Sequence, residues 1–399
     1  MIKMPFLVSM PSTGTEIAPS KPRFGCRLLA YIAPEPHQGQ DVFLKQALLD
    51  GGNSLLRQSQ RPYDHKADSP TEKAKPNFSS EDYFNNGVPY QFGWGYAFAQ
   101  DEKRQAHFAK ASPAALDEQF VQEATAIAKQ APCNLLAHLR QVVDIQNGFK
   151  PENVHPFHIN DWALAHVGAV PVDVLATIRN RLQNAHAENK EIQLPKGDTD
   201  SEALACYLAL KLREQTGHDA STTLPPATLE QVLREMMVEI ILNPQRQSDE
   251  QIAQTMGNGF QGASRNSTNV IAFLNNRQLL IGKIIPNYKA VFLGTHHQAN
   301  GNVSYLISHH PMHLNLPKNE RLDWKPLSND AITSFLRVSK PTEVASQSAQ
   351  ESAKEPEHII LKRVIQLPVR SNRQAEIIED AAQVQSVIAR LEAQNDILN

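Results

Sequence analysis

An α+β fold is what the sequence predicts, and three observations predict it. Apolar residues recur at helical spacing through the middle of the chain, the spacing turns strand-like after residue 265, and a polar stretch at 340–357 sets off a short final segment. With 399 residues, 41% of them hydrophobic, the chain has enough apolar material for a sizeable core.

The elements follow in order. Residues 1–22 mix Pro, Ser and Thr without periodicity and read as a flexible lead-in. The run at 24–33 (FGCRLLAYIA) places Cys26 at the opening of an apolar, helix-like stretch. A second helical candidate at 40–50 ends at Gly51-Gly52, and residues 58–90, rich in Pro, Asn and Ser, read as a long loop. Residues 82–98 are dense in aromatics and Gly, which suits core packing or a contact surface. Ser112-Pro113 has the chemistry of an N-cap followed by Pro at the first helical position, ahead of a stripe of Leu116, Phe120 and Ile127. Pro132 interrupts, and a new helix restarts near Cys133. Further helices are expected at 171–186, 200–215 and 227–243. The last has Leu229, Val232, Leu233, Met236, Met237, Ile240 and Ile241 on one face and a Thr228/Gln231 capping box.

After 265 the chain reads as antiparallel β structure. Runs at 269–274 and 278–284 flank Asn275-Asn276, and runs at 288–298 and 303–308 flank Asn300-Gly301, a strong hairpin signal. A short apolar segment follows at 358–369. Then comes a helix capped by Ser371 and Gln374, with Ile377, Ala381, Val384, Ile388, Leu391 and Leu398 in heptad-like spacing. The expected organisation is a lead-in at 1–22, the N-terminal part of a core at 23–104, a helical lobe at 105–260, the β-rich C-terminal part of the core at 265–339, a linker at 340–357 and a C-terminal segment and helix at 358–399.

Charge and cysteine content exclude several function classes. The net charge of −3 gives no electrostatic reason for nucleic acid or an anionic membrane as partner. Three scattered cysteines, Cys26, Cys133 and Cys206, make neither a disulfide framework nor a zinc knuckle. The first residues lack a signal-peptide core, and no apolar run reaches the roughly 18 residues of a membrane helix. The expected location is the cytoplasm, or a host cell reached through a specialised secretion system. No cofactor is expected.

His296, His297, His309, His310 and His313 cluster within 18 residues and invite a metal. A two-residue turn at Asn300-Gly301 would pair His297 with Ser304 and His296 with Tyr305. At about 3.4 Å per strand residue, His296 and His309 would then lie about 13 Å apart, too far to share one ion. No Asp or Glu lies between 290 and 318 to complete a site, so no metal is expected. His155-Pro156-Phe157-His158, with Asp161 and His166, reads as a connection between helices.

Cys/His chemistry remains. A thiol becomes a strong nucleophile beside an imidazole that a third polar group orients. Cys26 follows Gly25, whose lack of a side chain lets backbone N–H groups approach an oxyanion. Late in the chain, His313 and Asn315 alternate onto one strand face, so Asn315 can orient the ring. His297 is a rival base and Cys133 a rival nucleophile. Phe24-Gly25-Cys26 with its apolar run, and Tyr305-Leu306-Ile307 followed by His313-Leu314-Asn315, resemble the two catalytic motifs of the ovarian-tumour (OTU) family of papain-fold cysteine proteases. The resemblance departs at Arg23, which stands in place of the family's Asp, and at Leu314, in place of an aromatic. It implies a papain-like core with a large helical insertion lobe. It also implies Cys26 as nucleophile, His313 as base, Asn315 as orienter, and a protein substrate such as ubiquitin chains cleaved at isopeptide bonds. The other class left open is a non-enzymatic helical binding protein whose histidine-rich hairpin is a contact surface.

Overall fold

The computed structural model describes residues 26–59, 93–99, 105–112, 114, 117–140, 150–217, 224–242, 269–284, 291–339 and 358–367. They form two antiparallel sheets. The first is built from β1 (Arg27–Ile32), β2 (Trp94–Ala99), β3 (Gln105–Lys110), β4 (Asn134–Leu139), β9 (Phe292–His297), β10 (Val303–Ser308) and β11 (Arg321–Pro326), in the order β11-β9-β10-β1-β4-β2-β3. The second is built from β5 (Phe157–Ile159), β6 (Trp162–Val167), β7 (Asn269–Leu274), β8 (Gln278–Ile284), β12 (Ala331–Ser339) and β13 (His358–Gln366), in the order β13-β12-β8-β7-β6-β5.

The sheets face each other. Leu28, Ala30 and Ile32 of β1 and Leu136 of β4 pack against Ala163, Ala165 and Val167 of β6 and Val270, Ala272 and Leu274 of β7. Alanines at Ala30, Ala97, Ala163, Ala165 and Ala272 keep side-chain bulk small across this interface. The outer face of the first sheet is covered by α1 (Gln40–Lys45), α2 (Leu55–Ser59) and α3 (Glu118–Gln130), which pack on Leu29, Tyr31, Trp94, Tyr96 and Leu135. The outer face of the second is covered by α4 (Val172–Glu188), α5 (Asp200–Thr216) and α6 (Pro226–Leu242), which pack on Trp162, Leu164, Ile271, Phe273 and Leu280. The result is a four-layer α/β/β/α sandwich, in which each central strand is buried on both faces.

This overturns the papain-like, OTU-like core with a helical insertion lobe. The run after Cys26 is a strand, not a helix. Every residue from Arg27 to Ile32 is buried, so the sequence has no alternation to distinguish it from a buried helix. Cys133 likewise precedes strand β4, not a helix. Residues 105–260 contribute β3, β4, β5 and β6 to the two sheets, and α4–α6 form a layer on the second sheet. The helix expected from Ser112 begins five residues later, because Asp117 is its cap. Asp117 accepts from the Gln119 N–H at 3.0 Å and also holds the Trp94 indole N–H, Lys110 and the Ser112 hydroxyl.

The β-rich region at 269–316 divides between the sheets, with β7 and β8 in one and β9 and β10 in the other. The β9–β10 register is one residue away from expectation: His297 pairs with Val303 and His296 with Ser304. The turn is a three-residue loop. Gly301 N–H donates to the Gln298 carbonyl, Gln298 N–H donates to Asn302, and only Gly301 takes a positive φ, of 84°. The heptad-spaced segment after 370 lies outside the described residues.

Candidate active site

Cys26 stands just before β1 on the side facing the other sheet, and packs against the inter-sheet core. The register of β1 with β4 pairs Arg27 with Leu139, so Arg140 lies opposite Cys26 one step beyond the ladder and shares its inward face. Arg140 is buried, and its backbone N–H is tied to the Gly93 carbonyl at 2.7 Å. Burial pushes the guanidinium's pKa down. The facing Cys26, Asp198 and Asp200 push it up. A half-exposed thiol therefore sits beside a cation held in place by strand pairing. On the other flank, the Leu28 N–H donates to His309 Nδ1 at 3.1 Å, which fixes this ring's lone pair on Nδ1.

The acidic wall is built by the turn into α5. Thr199 caps the helix by accepting from the Glu202 N–H, and the Glu202 carboxylate folds back onto the N–H groups of Lys196 and Gly197 at 2.8 and 2.7 Å. Asp198 accepts from Lys150 and Asn153, which hold its carboxyl below the usual range. Asp200 accepts from the Val170 N–H at 2.8 Å and from the Ser201 hydroxyl at 3.2 Å. With that hydrogen given to Asp200, Ser201 accepts from His166 Nδ1 at 2.9 Å.

Behind Arg140 lies a buried imidazole pair, His138 Nε2 to His155 Nδ1, at 3.0 Å. Burial pushes His138 down to about 3, with the Arg140 and His166 charges adding, and burial likewise holds His155 well below the ordinary value. Both rings are neutral at pH 7. One nitrogen of the contact donates and the other accepts. Gly95 makes room for this segment: a Cβ there would come within 2.4 Å of the His155 carbonyl oxygen.

The sequence-predicted residues fall in different places. Cys26 is at this site. Gly25 lies outside the described residues. His313 is exposed and forms an isolated antiparallel bridge with Gly52, and Asn315 is exposed and exchanges hydrogen bonds with Gln46. Both belong to the segment packed on the helix-covered outer face of the first sheet, whereas Cys26 faces inward. His297 is at the far end of β9, 3.5 Å from Asp323. Cys133 lies at the opposite end of β1 from Cys26, where its carbonyl accepts from the Ala33 N–H, and burial pushes its thiol up. Cys206 is buried in α5 and pushed up to about 12. Of the His155–His166 group, His155 joins the site and His166 turns to the helix side. His158 instead stacks on His107 at the sheet edges, with ring centroids 5.5 Å apart. Among the described residues no group of three or more His, Cys, Asp or Glu is arranged to hold a metal ion.

Sequence reasoning missed Arg140, His138, Asp198, Asp200 and Ser201. The Thr199-x-x-Glu202 box was a readable signal for the turn into α5. Arg140 could be found only once β1 and β4 were known to pair.

Fold and site together define a class: a two-sheet α/β/β/α sandwich with a cysteine–arginine pair at one end of the inter-sheet layer. The family model of class-II glutamine amidotransferases matches residues 74–244, which is 171 of the 399 residues. The matched segment contains Arg140, His138, His155, His166, Asp198, Asp200 and Ser201, while Cys26 precedes it. This match, with the sandwich architecture, overturns the ubiquitin-protease expectation.

Among solved structures, the chain is similar to the glutamine phosphoribosylpyrophosphate amidotransferase of B. subtilis complexed with ADP and GMP. Identity there is 11% and the TM-score 0.39, over 77% of this chain and 47% of that one, so the chain spans about half of that enzyme's length. A glutamine aminotransferase class-II domain protein from Silicibacter pomeroyi is 14% identical with TM-score 0.40, over 86% of this chain and 100% of that one. A predicted glutamine amidotransferase from Pseudomonas aeruginosa is 14% identical with TM-score 0.34, over 76% and 96%. No curated protein matches the sequence.

Proposed function

We propose that this protein hydrolyses the side-chain carboxamide of glutamine, with Cys26 as nucleophile, as the glutamine-using half of an amidotransfer reaction. The observation that carries the reading is the pairing of the Cys26 thiol with the buried Arg140 guanidinium, which comes from within the segment matching class-II glutamine amidotransferases. A guanidinium favours thiolate over thiol, and it is the preferred partner for a carboxylate because two N–H groups can meet two oxygens. A substrate carrying both a carboxylate and a carboxamide fits a site offering a cation and a nucleophile. The Cys26 sulfur attacks the carboxamide carbon, the C–N bond breaks, and the nitrogen leaves as ammonia with a proton gained. Water then cleaves the thioester and gives glutamate with the thiol restored.

Release of ammonia from L-glutamine by the purified chain tests this. Wild type and Cys133→Ser are expected to release ammonia, and Cys26→Ser to lose activity by at least a thousandfold. Equal rates for wild type and Cys26→Ser would overturn the proposal. Intact mass of the active protein adds a second reading. It shows whether residues precede Cys26 in the working form, and therefore whether the cysteine's own α-amine is available as the base.

A further inference from the structure

We infer that His309 is a positioning residue for the Cys26 nucleophile, its neutral imidazole standing in for the backbone partner that β10 would otherwise give to β1 beside the thiol. N–H groups along a strand point alternately to its two neighbours, so with the Leu28 N–H directed to the β10 side, that of Ala30 is directed there as well. In that ladder Ala30 faces Ile307 and Leu29 faces Ser308, which makes residue 309 the next one opposite Leu28. β10 ends at Ser308. The backbone then turns away toward Pro311, which has no N–H to continue a ladder. The His310 N–H turns onto the Ser308 hydroxyl at 3.4 Å, and the Pro311 carbonyl accepts from Asn53 Nδ2 at 3.0 Å. The ring of His309, 4% exposed, reaches back where the backbone does not, and its Nδ1 accepts the Leu28 N–H at 3.1 Å.

Leu28 is fully buried, so an unmet N–H there would be costly. Only a ring with its lone pair on Nδ1 can accept that bond, and a protonated imidazole would turn a second N–H toward the first. Leu28 lies two residues after Cys26 and on the same inward face. The start of β1 is thus pinned from two sides. On one side is the ladder with β4, which runs from Arg27 and leads into Arg140. On the other is this one imidazole. The turn that carries the ring is itself anchored, because Gln58 Nε2 of α2 donates to the buried Ser308 hydroxyl at 3.2 Å and to the Asn53 carbonyl at 2.8 Å.

Loss of the His309 bond frees the start of β1 on its β10 side, and the thiol loses its fixed place beside the guanidinium. Arg140 is held from β4 and keeps its position. The defect therefore falls on attack by sulfur, which needs close placement, and not on binding of the substrate carboxylate. The inference rests on the hydrolase reading for its kinetic readout alone.

Two substitutions test it. His309→Leu removes the acceptor at similar size, and His309→Asn keeps an oxygen at the δ position. Amide hydrogen exchange at Leu28, read by fragmentation mass spectrometry on the full chain, is expected to quicken at least tenfold in His309→Leu and less than threefold in His309→Asn. The kcat for glutamine is expected to fall at least tenfold in His309→Leu and to recover in His309→Asn, with KM changed less than twofold in both. Faster exchange at Leu28 with an unchanged kcat overturns the inference, as does an equal loss of kcat in both variants or a change confined to KM. If His309→Leu does not fold, His309→Gln, whose acceptor lies one bond farther out, takes its place, and a wild-type kcat there overturns the inference. Wild type that releases no ammonia sinks the hydrolase reading, and iodoacetamide kinetics then decide. Alkylation of Cys26 should slow at least threefold in His309→Leu and recover in His309→Asn, with Cys133 unchanged in both, and equal Cys26 rates in all three proteins overturn the inference.

Discussion

At the scale of single residues, the site separates charge from neutrality by burial. Arg140 keeps its charge beside Cys26, while His138 and His155, in contact just behind, are neutral. Arg140→Met is expected to raise the KM for glutamine at least tenfold, and Arg140→Lys to recover only part of it, because the ammonium cannot form the two-pronged contact. The imidazole pair also sets a pH dependence of stability. The unfolded chain binds protons at both histidines below about pH 6.5, and the folded chain does not until about pH 3 for His138. The unfolded state therefore holds more protons across this window, and stability falls as pH falls. The slope is about 1.4 kcal/mol per pH unit for each histidine at most. Urea titrations at pH 7, 6, 5 and 4 should show this decline, and His138→Asn should flatten it. An unchanged slope in that variant would mean the pair is protonated in the folded protein. The sequence singled out Cys26 from its Gly-Cys setting, although the apolar run behind it, read as a helix, is strand β1. Arg140 was not legible beside it, because it is 114 residues away in sequence and reaches Cys26 only through strand pairing.

At the scale of elements, the one-sided helices and the C-terminal strands were legible: the runs read at 269–274, 278–284 and 303–308 are β7, β8 and β10, while the runs after Cys26 and Cys133, read as helices, are strands β1 and β4. The stripe from Leu229 to Met237 does pack on the second sheet, and the stretches at 171–186 and 200–215 overlap α4 and α5. Helices of this kind bury one face, and the period survives in the sequence. Strands β1, β4 and β6 are buried on both faces and carry continuous apolar runs, which removes the alternation that would mark them. The His155 segment then passes as a loop between helices, although it packs closely on β2. Gly95→Ala tests that packing. The added methyl meets two backbone oxygens, at 2.4 Å on His155 and 2.7 Å on Phe108, and backbone cannot move aside cheaply. The variant should lose about 1–3 kcal/mol of stability by denaturant titration. Thr199→Ala, which removes the cap that organises Asp198 and Asp200, should cost about 1 kcal/mol and lower glutamine turnover as well.

At the scale of the whole molecule, the two sheets act as one body because the layer between them is their common core. Phe335, fully buried, reaches across from β12 to pack at a tilt of 44° against Tyr305 of β10, with ring centroids 4.9 Å apart. Phe335→Ala should cost about 3–5 kcal/mol and shift a single unfolding transition that tryptophan fluorescence and far-UV circular dichroism report together. Two separate transitions would show that the sheets unfold independently. The sequence supported an α+β class and an antiparallel C-terminal region. It could not show that β7–β8 and β9–β10 go to opposite sheets, since which hairpin joins which sheet depends on pairings with β1, β6 and β12 far along the chain. The OTU likeness arose from the same limit: Cys26 and His313 have a protease-like order in sequence, but the first sheet lies between them.

The most direct test of the central claim is to treat the protein with a diazoketone analogue of glutamine and map the adduct by peptide mass spectrometry. A single adduct on Cys26, prevented by excess glutamine and lost in Arg140→Met, is the predicted result. An adduct on Cys133, or labelling of Cys26 that glutamine does not prevent, would contradict the account.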